Sequence, residues 1–288
     1  MFYNILKLYK FLLQTNLLGP EGTPKVALFG SGGGSGIKKL LDKVKSGELK
    51  MRVEALVSSR PGIGVETHAT NFEVQLATIY EKFPPRKVLG FDRGEYSPES
   101  LKIIAGYYQK IFKQYGLDYI FLSGWLRYVC GIPFNKVINI HPGPTQEGYG
   151  GEKMHGEAVH KKVWQDYVDG KINQTCVTMH YATDIFDDPN ATIVQVPVDL
   201  SGPFDLGSCH QEHGCRNAKE VGERVNAVEH FIQWKITQLI VSGAISWTGD
   251  KKDKVEVNME QVKKYEFPEG TVFAANLSLQ DGIPYKGS

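Results

Sequence analysis

Near-continuous apolar runs alternate with helical patterns from Lys25 onward: KVALFG, a helical GIKKLLDKVKSG, RVEALVSS, KVLGFD, a helical PESLKIIAGYYQKIFKQYG, DYIFLSG and KVINIH. Strands that are apolar at almost every position have to be covered on both faces, which is the condition of a parallel sheet packed between helices. The pattern therefore predicts an α/β fold with a Rossmann-like, mostly parallel sheet flanked by helices. Two later runs, QTCVTMHYAT and ATIVQVPVDL, read as an antiparallel C-terminal part. The helix AKEVGERVNAVEHFIQWKITQLIVSG then closes the body, with Asn217 and Glu220 placed as a capping pair. A chain of 288 residues that is 41% hydrophobic can bury such a core.

The first twenty residues, MFYNILKLYKFLLQTNLLGP, are apolar, but Lys7 and Lys10 interrupt the run and no small-residue cleavage site follows. Phe2, Ile5, Leu6, Tyr9, Leu12 and Leu13 fall at helical spacing, so residues 1–20 are expected to form an amphipathic helix docked on protein rather than on a membrane. The net charge is +1 and the Lys and Arg residues are scattered, which excludes an extended nucleic-acid surface. Cys130, Cys176, Cys209 and Cys215 follow no zinc-ribbon or redox spacing, and a reducing cytoplasm is the expected compartment.

Three stretches carry chemistry. In FGSGGGSGIKKLL a strand ends in a glycine-rich turn and a helix begins, so the backbone at Gly33, Gly34, Ser35 and Gly36 suits either a flexible turn or the binding of an anion such as phosphate. It is a poor dinucleotide fingerprint, because RVEALVSSR ends in serines where an acidic residue should hold a ribose. It is no P-loop either, since no Gly-Lys-Ser/Thr follows.

KVINIHPGPT places Asn139 and His141 two apart at a strand end, so both project from one side where open α/β sheets bind ligands. An amide that donates to a developing oxyanion and an imidazole that carries a proton near neutral pH are the two needs of acyl transfer to an amine. Taken alone, a strand-end histidine is more often a satisfied structural residue. MHYATDIFDDP adds Asp184, Asp187 and Asp188 in a turn after another strand. A carboxylate beside His141 is expected to favour the imidazolium and raise its pKa above the ordinary 6.5 or so.

Together these stretches resemble the folate-dependent formyltransferases, in the ordered set SGGGSG, LSGWLRYV, VINIHPG, HYATDIFDD and RVNAVEHFIQ. The similarity runs from about Lys25 to about Asn258. It implies a formyltransferase domain over 25–258, with 201–217 as an inserted loop and 259–288 as a tail. It also implies a catalytic trio of Asn139, His141 and Asp187, and a substrate phosphate loop at Gly33 to Gly36. Glu229 is implied to hold the substrate ribose, and Arg127, Tyr128 and Val129, with the backbone around Asp184, to form the folate pocket.

The branch resembled most is that of purine biosynthesis. It implies transfer of a formyl group from 10-formyltetrahydrofolate, a cosubstrate, to the primary amine of glycinamide ribonucleotide, with no metal required. The partners expected are these small molecules alone, neither nucleic acid nor membrane; the sequence does not set the oligomeric state.

Departures from the family pattern fall at particular places. Gly143, Pro144 and Thr145 follow His-Pro where the family often reads Ser-Leu-Leu-Pro, Gly36 stands where an Asn often ends the phosphate loop, and DRGE replaces the usual Ser-Arg-Glu, with Arg93 as the substitute. These leave a sugar-nucleotide N-formyltransferase, or a non-catalytic folate- or nucleotide-binding module, as alternative readings. In the segment SGPFDLGSCHQEHGCRN, the spacing of Cys209, His210, His213 and Cys215 matches no common zinc finger, and a surface loop is expected there.

Overall fold

The computed structural model describes residues 19–78, 97–145, 148–151 and 154–276. The expected N-terminal helix over 1–20 lies outside them except for its last two residues. The strand KVLGFD, Arg93 and the tail beyond Asn276 lie outside them altogether. The chain forms two compact units that divide between Val137 and Ile138.

In the first unit, β1 (Lys25–Gly30), β2 (Arg52–Ser58), β3 (Leu76–Thr78) and β4 (Tyr119–Ser123) are hydrogen-bonded in the order β4-β1-β2-β3, and every pair is parallel. Val26, Ala27, Leu28 and Phe29 of β1 are fully buried, as an apolar central strand requires. Helix α1 (Ser35–Lys45) buries Ile37, Leu40, Leu41 and Val44, one stripe at helical spacing. Helix α2 (Gly64–Asn71) is short, and its weak apolar pattern gives the sequence no clear signal. Helix α3 (Pro98–Gln114) starts where expected, because Ser97 Oγ accepts from Ser100 N and Pro98 opens the first turn.

The order β4-β1-β2 means that the chain leaves β1 to one side and returns on the other. A crevice opens at the C-terminal ends of two such strands. The glycine loop follows β1 into this place. There Ser31 N donates to Gly124 O (3.2 Å), and Leu126 N donates to Ser31 Oγ (3.0 Å).

The second unit is antiparallel. Strands β5 (Val137–His141), β6 (Gln174–Tyr181) and β7 (Thr192–Asp199) pair in sequence, and a short β10 (Val272–Phe273) joins the far edge. Helix α4 (Glu157–Val168), not foreseen from the sequence, packs with α5 (Ala218–Val241). Asn217 Oδ1 caps α5 by accepting from Glu220 N at 3.0 Å.

The segment 201–217 is an ordered two-stranded hairpin, β8 (Phe204–Leu206) with β9 (Cys209–Gln211), folded against α5. Its anchor is Arg224 of α5, which is 0% exposed. The guanidinium donates to Gln211 Oε1 (2.6 Å) and to the carbonyls of Asp199 (2.7 Å), Gly202 (2.9 Å) and His213 (2.5 Å). Its fork also stacks over the Phe204 ring.

Cys209 and Cys215 are buried beside it, and burial pushes the Cys215 thiol up to about 11. Replacing Arg224 by Leu leaves three carbonyls and an amide without a donor in a site closed to water. The variant is expected to lose about 3 kcal/mol of stability, read as a lower urea midpoint. A midpoint equal to that of the native chain would show the hairpin to be held by its apolar contacts instead.

Candidate active site

The register between β5 and β6 pairs Asn139 with His180 and His141 with Thr178. Asn139 and His141 therefore reach the same side from one strand, and His180 is delivered opposite Asn139 by the other. The turn after β6 brings in Asp187, whose backbone is left-handed (φ 48°), a conformation that Asp tolerates better than most residues. The turn is fixed by its neighbour Asp188, 1% exposed, which accepts from Thr183 Oγ1 (2.9 Å) and from Asn190 N (3.0 Å). Asp184 points elsewhere: it is exposed and pairs with Lys251. Of the three aspartates in this turn, only Asp187 meets the histidines.

Its carboxylate lies between them. Oδ2 is 3.5 Å from His141 Nδ1 and accepts from Gly151 N at 2.9 Å; Oδ1 is 3.3 Å from His180 Nε2. Both rings are buried, His141 3% and His180 2% exposed. His180 Nδ1 faces the carbonyl of Tyr181 at 3.0 Å, which only accepts, so that nitrogen carries a proton. Its Nε2 also meets Asn139 Nδ2 at 3.1 Å: a neutral ring accepts from the amide, and a charged ring donates to Asp187. With one amide hydrogen on His180, the other hydrogen of Asn139 Nδ2 remains for a ligand oxygen. His180 is the site residue that sequence reasoning passes over. The available signal was the strand alternation, which sets His180 across from Asn139 once β5 and β6 pair.

The charges in this network do not follow the simple expectation. Burial depresses the His141 pKa, and Asp187 and the Tyr149 carbonyl raise it by less, so the net displacement is below 6.5 rather than above it. Two further imidazoles, His180 and His155, push the same way as burial. The expected rise is thus overturned: desolvation of a cation in this closed position outweighs one carboxylate. For Asp187, burial pushes upward, but the hydrogen bond from His180, the charges of both histidines and Gly151 N–H together hold it below the ordinary carboxylate value.

The remaining residues singled out in the sequence sit on both units. In the first unit, Gly34 caps α1 with φ 70°, and no side chain caps the helix start. Gly33 is exposed, and its carbonyl meets His68 Nε2 at 3.2 Å. Gly64 has to be glycine here, because a Cβ would lie 2.0 Å from the Gly33 carbonyl oxygen. Arg127, Tyr128 and Val129 follow β4 and are half-buried, with Arg127 Nη2 on the Ser59 carbonyl at 3.3 Å.

In the second unit, Glu229 lies on α5 with Asn226 Nδ2 at 3.5 Å. Removal of its carboxyl from water pushes the pKa up to about 7, although the residue as a whole is partly exposed. Among the described residues no three His, Cys, Asp or Glu side chains gather as a metal site requires.

The His141 titration has a defined sign. The folded ring takes up its proton below 6.5 while the unfolded chain does so near that value. Stability drawn from the neutral buried ring is therefore complete above about pH 6.5 and falls as the pH drops below it. Asp187→Asn removes a group that raises the His141 pKa, and the NMR titration of His141 is expected to move to still lower pH. A titration that stays in place would uncouple the two residues.

No family model matches the chain. The chloroplastic phosphoribosylglycinamide formyltransferase of Arabidopsis thaliana is 24% identical over 231 residues, covering 78% of this chain and 68% of that protein. Among solved structures, the phosphoribosylglycinamide formyltransferase of Coxiella burnetii superposes with a TM-score of 0.60 at 20% identity, over 82% of this chain and 94% of that one. A formyltetrahydrofolate deformylase of Pseudomonas putida superposes with a TM-score of 0.57 at 16% identity, over 83% and 71% of the two chains. The chain thus has the fold of the phosphoribosylglycinamide formyltransferases and resembles them in sequence along most of its length.

Proposed function

We propose that the protein transfers a formyl group from 10-formyltetrahydrofolate to the primary amine of glycinamide ribonucleotide. The observation that carries this reading is the network of Asn139, His141, His180 and Asp187 at paired strand ends, each contact 3.5 Å or shorter. Its donor set fits a formyl carrier, with an amide N–H for the carbonyl oxygen and an imidazole for the proton. Ile185 and Phe186, exposed just before Asp187, offer apolar surface to a ring system. When bound, 10-formyltetrahydrofolate supplies the formyl carbon and receives a proton on the nitrogen that carbon leaves.

The chain's own residues do the rest. Asn139 directs its second amide hydrogen at the formyl oxygen, where negative charge grows as the amine attacks. His141, neutral at pH 7, accepts the amine proton, and Asp187 stabilises the ring while it is charged. The loop Gly33 to Gly36 takes the substrate phosphate on its backbone, and Glu229 takes the ribose. Arg127, Tyr128 and Val129, with the backbone at Asp184, hold the folate. The cytoplasm suits the free thiols of Cys130, Cys176, Cys209 and Cys215.

The test is a formyl-transfer assay that offers 10-formyltetrahydrofolate with glycinamide ribonucleotide and, separately, with amino-sugar nucleotides. Formylation of a sugar nucleotide in preference would replace the substrate. Release of formate with no amine present would assign the chemistry of the deformylases that share this fold. Asn139→Ala is expected to lower kcat about a hundred- to a thousandfold with little change in KM. Unchanged turnover in the folded variant removes Asn139 from the mechanism.

The phosphate loop is tested at Gly33, where a Cβ meets open space and φ is not left-handed, whereas at Gly34 the φ of 70° would confuse strain with blocked binding. Gly33→Val is expected to raise KM for the phosphorylated amine about tenfold and leave that for the formyl folate alone. Equal use of the dephosphorylated amine by the native enzyme would count against a phosphate site.

A further inference from the structure

The segment after His141 makes a contact that decides the state of the ring. His141 Nε2 lies 2.9 Å from the backbone carbonyl of Tyr149. A carbonyl only accepts, so Nε2 carries the hydrogen and Nδ1 is the bare nitrogen of the neutral ring. The Tyr149 backbone is in turn anchored by its own side chain. The phenol donates to Asp166 Oδ2 at 2.5 Å, and Asp166, on α4, is 1% exposed. Lys162 and Lys171 also donate to this carboxylate, the latter at 3.1 Å, and hold it ionised, while Lys162 Nζ lies 5.3 Å from the centre of the Tyr149 ring. Asp166 is thus a buried acceptor, and its hydrogen bond with the phenol fixes the position of one peptide carbonyl.

We propose that Asp166 and Tyr149 are positioning residues that select the tautomer of His141, making Nδ1 the nitrogen that accepts the substrate proton. This rests on the reading of His141 as the proton acceptor. With Tyr149 O on one nitrogen and Asp187 Oδ2 on the other, the ring stands between two acceptors. The neutral ring donates to the carbonyl alone. The proton taken from the attacking amine lands on Nδ1, and the imidazolium then donates to both acceptors. The pair therefore favours the charged ring, which exists only after proton transfer, over the neutral ring of the ground state.

A carbonyl displaced from Nε2 would let the neutral ring turn its hydrogen to Asp187 instead. Nδ1 would then have no lone pair to offer. A neutral ring next to an ionised carboxylate has that tautomer as its local preference, so the Tyr149 carbonyl has to outcompete it by being held rigidly. Thr178 Oγ1 fixes the start of the same segment by donating to Gly143 O at 2.8 Å.

The experiment reads the tautomer directly from the ring 15N shifts of His141 in the unliganded protein, together with kcat and KM for formyl transfer. Tyr149→Phe keeps the ring and the carbonyl but removes the phenol anchor; Asp166→Ala removes the acceptor; Asp166→Asn keeps an oxygen for the phenol. In Tyr149→Phe and Asp166→Ala the His141 ring is expected to shift from the Nε2–H form toward the Nδ1–H form. In the same two variants kcat should fall roughly ten- to a hundredfold at unchanged KM, and Asp166→Asn should recover most of both.

A folded Tyr149→Phe variant with native 15N shifts and native kcat overturns the proposal, as does a loss seen only as a lower Tm. Should Asp166→Ala fail to fold, the decision rests on Tyr149→Phe, which changes no volume beyond one oxygen. Failure of the native protein to formylate any amine would instead sink the functional reading, and the tautomer measurement would stand apart from it.

Discussion

The site depends on one carboxylate held where it costs most to keep it. Asp187 is largely buried, sits in a left-handed backbone conformation and remains ionised below the ordinary carboxylate value. The Gly151 amide donates to it, the two buried imidazoles favour its charge when they are protonated, and each group is placed by a different element: His141 by β5, His180 by β6, Gly151 by the segment after β5. Loss of any of these groups leaves a buried charge with less to offset it. The antiparallel pairing of β5 with β6 is therefore as much a part of the site as the side chains are.

The same network explains why burial and charge oppose one another at His141. A proton acceptor in acyl transfer must be neutral before the reaction and tolerably charged within it. Burial secures the first condition, and Asp187 with the Tyr149 carbonyl prepares the second. Were the carboxylate to dominate, the ring would hold its proton at neutral pH and could not take another. The downward displacement is in this sense what the proposed chemistry requires.

The inserted segment shows a different use of a buried cation. Arg224 spends its guanidinium on three backbone carbonyls and one amide rather than on a carboxylate, which turns an apparently loop-like stretch into a hairpin fixed to α5. Cys209, in β9 of that hairpin, and Cys215, just after it, are both buried. Their burial follows from packing, with burial pushing both thiols upward.

The sequence by itself determined the elements whose signal is local. Apolar runs such as KVALFG, the stripe of Ile37, Leu40, Leu41 and Val44, and the caps at Ser97 and Asn217 each carry their cause within a few residues. The spacing of Asn139 and His141 was legible for the same reason, since strand alternation alone puts both on one side. Helix α2 and β3 were not, because eight residues with a weak stripe and a three-residue strand draw their stability from neighbours rather than from their own pattern.

Only the tertiary structure decided what depends on residues distant in sequence. It set the Asp187 carboxylate between two histidines, brought His180 to Asn139 across 41 residues, and set Asp166 behind Tyr149 across 17. It also reversed the expected displacement at His141, because desolvation is a property of everything packed around a group and no single partner in the sequence reveals it.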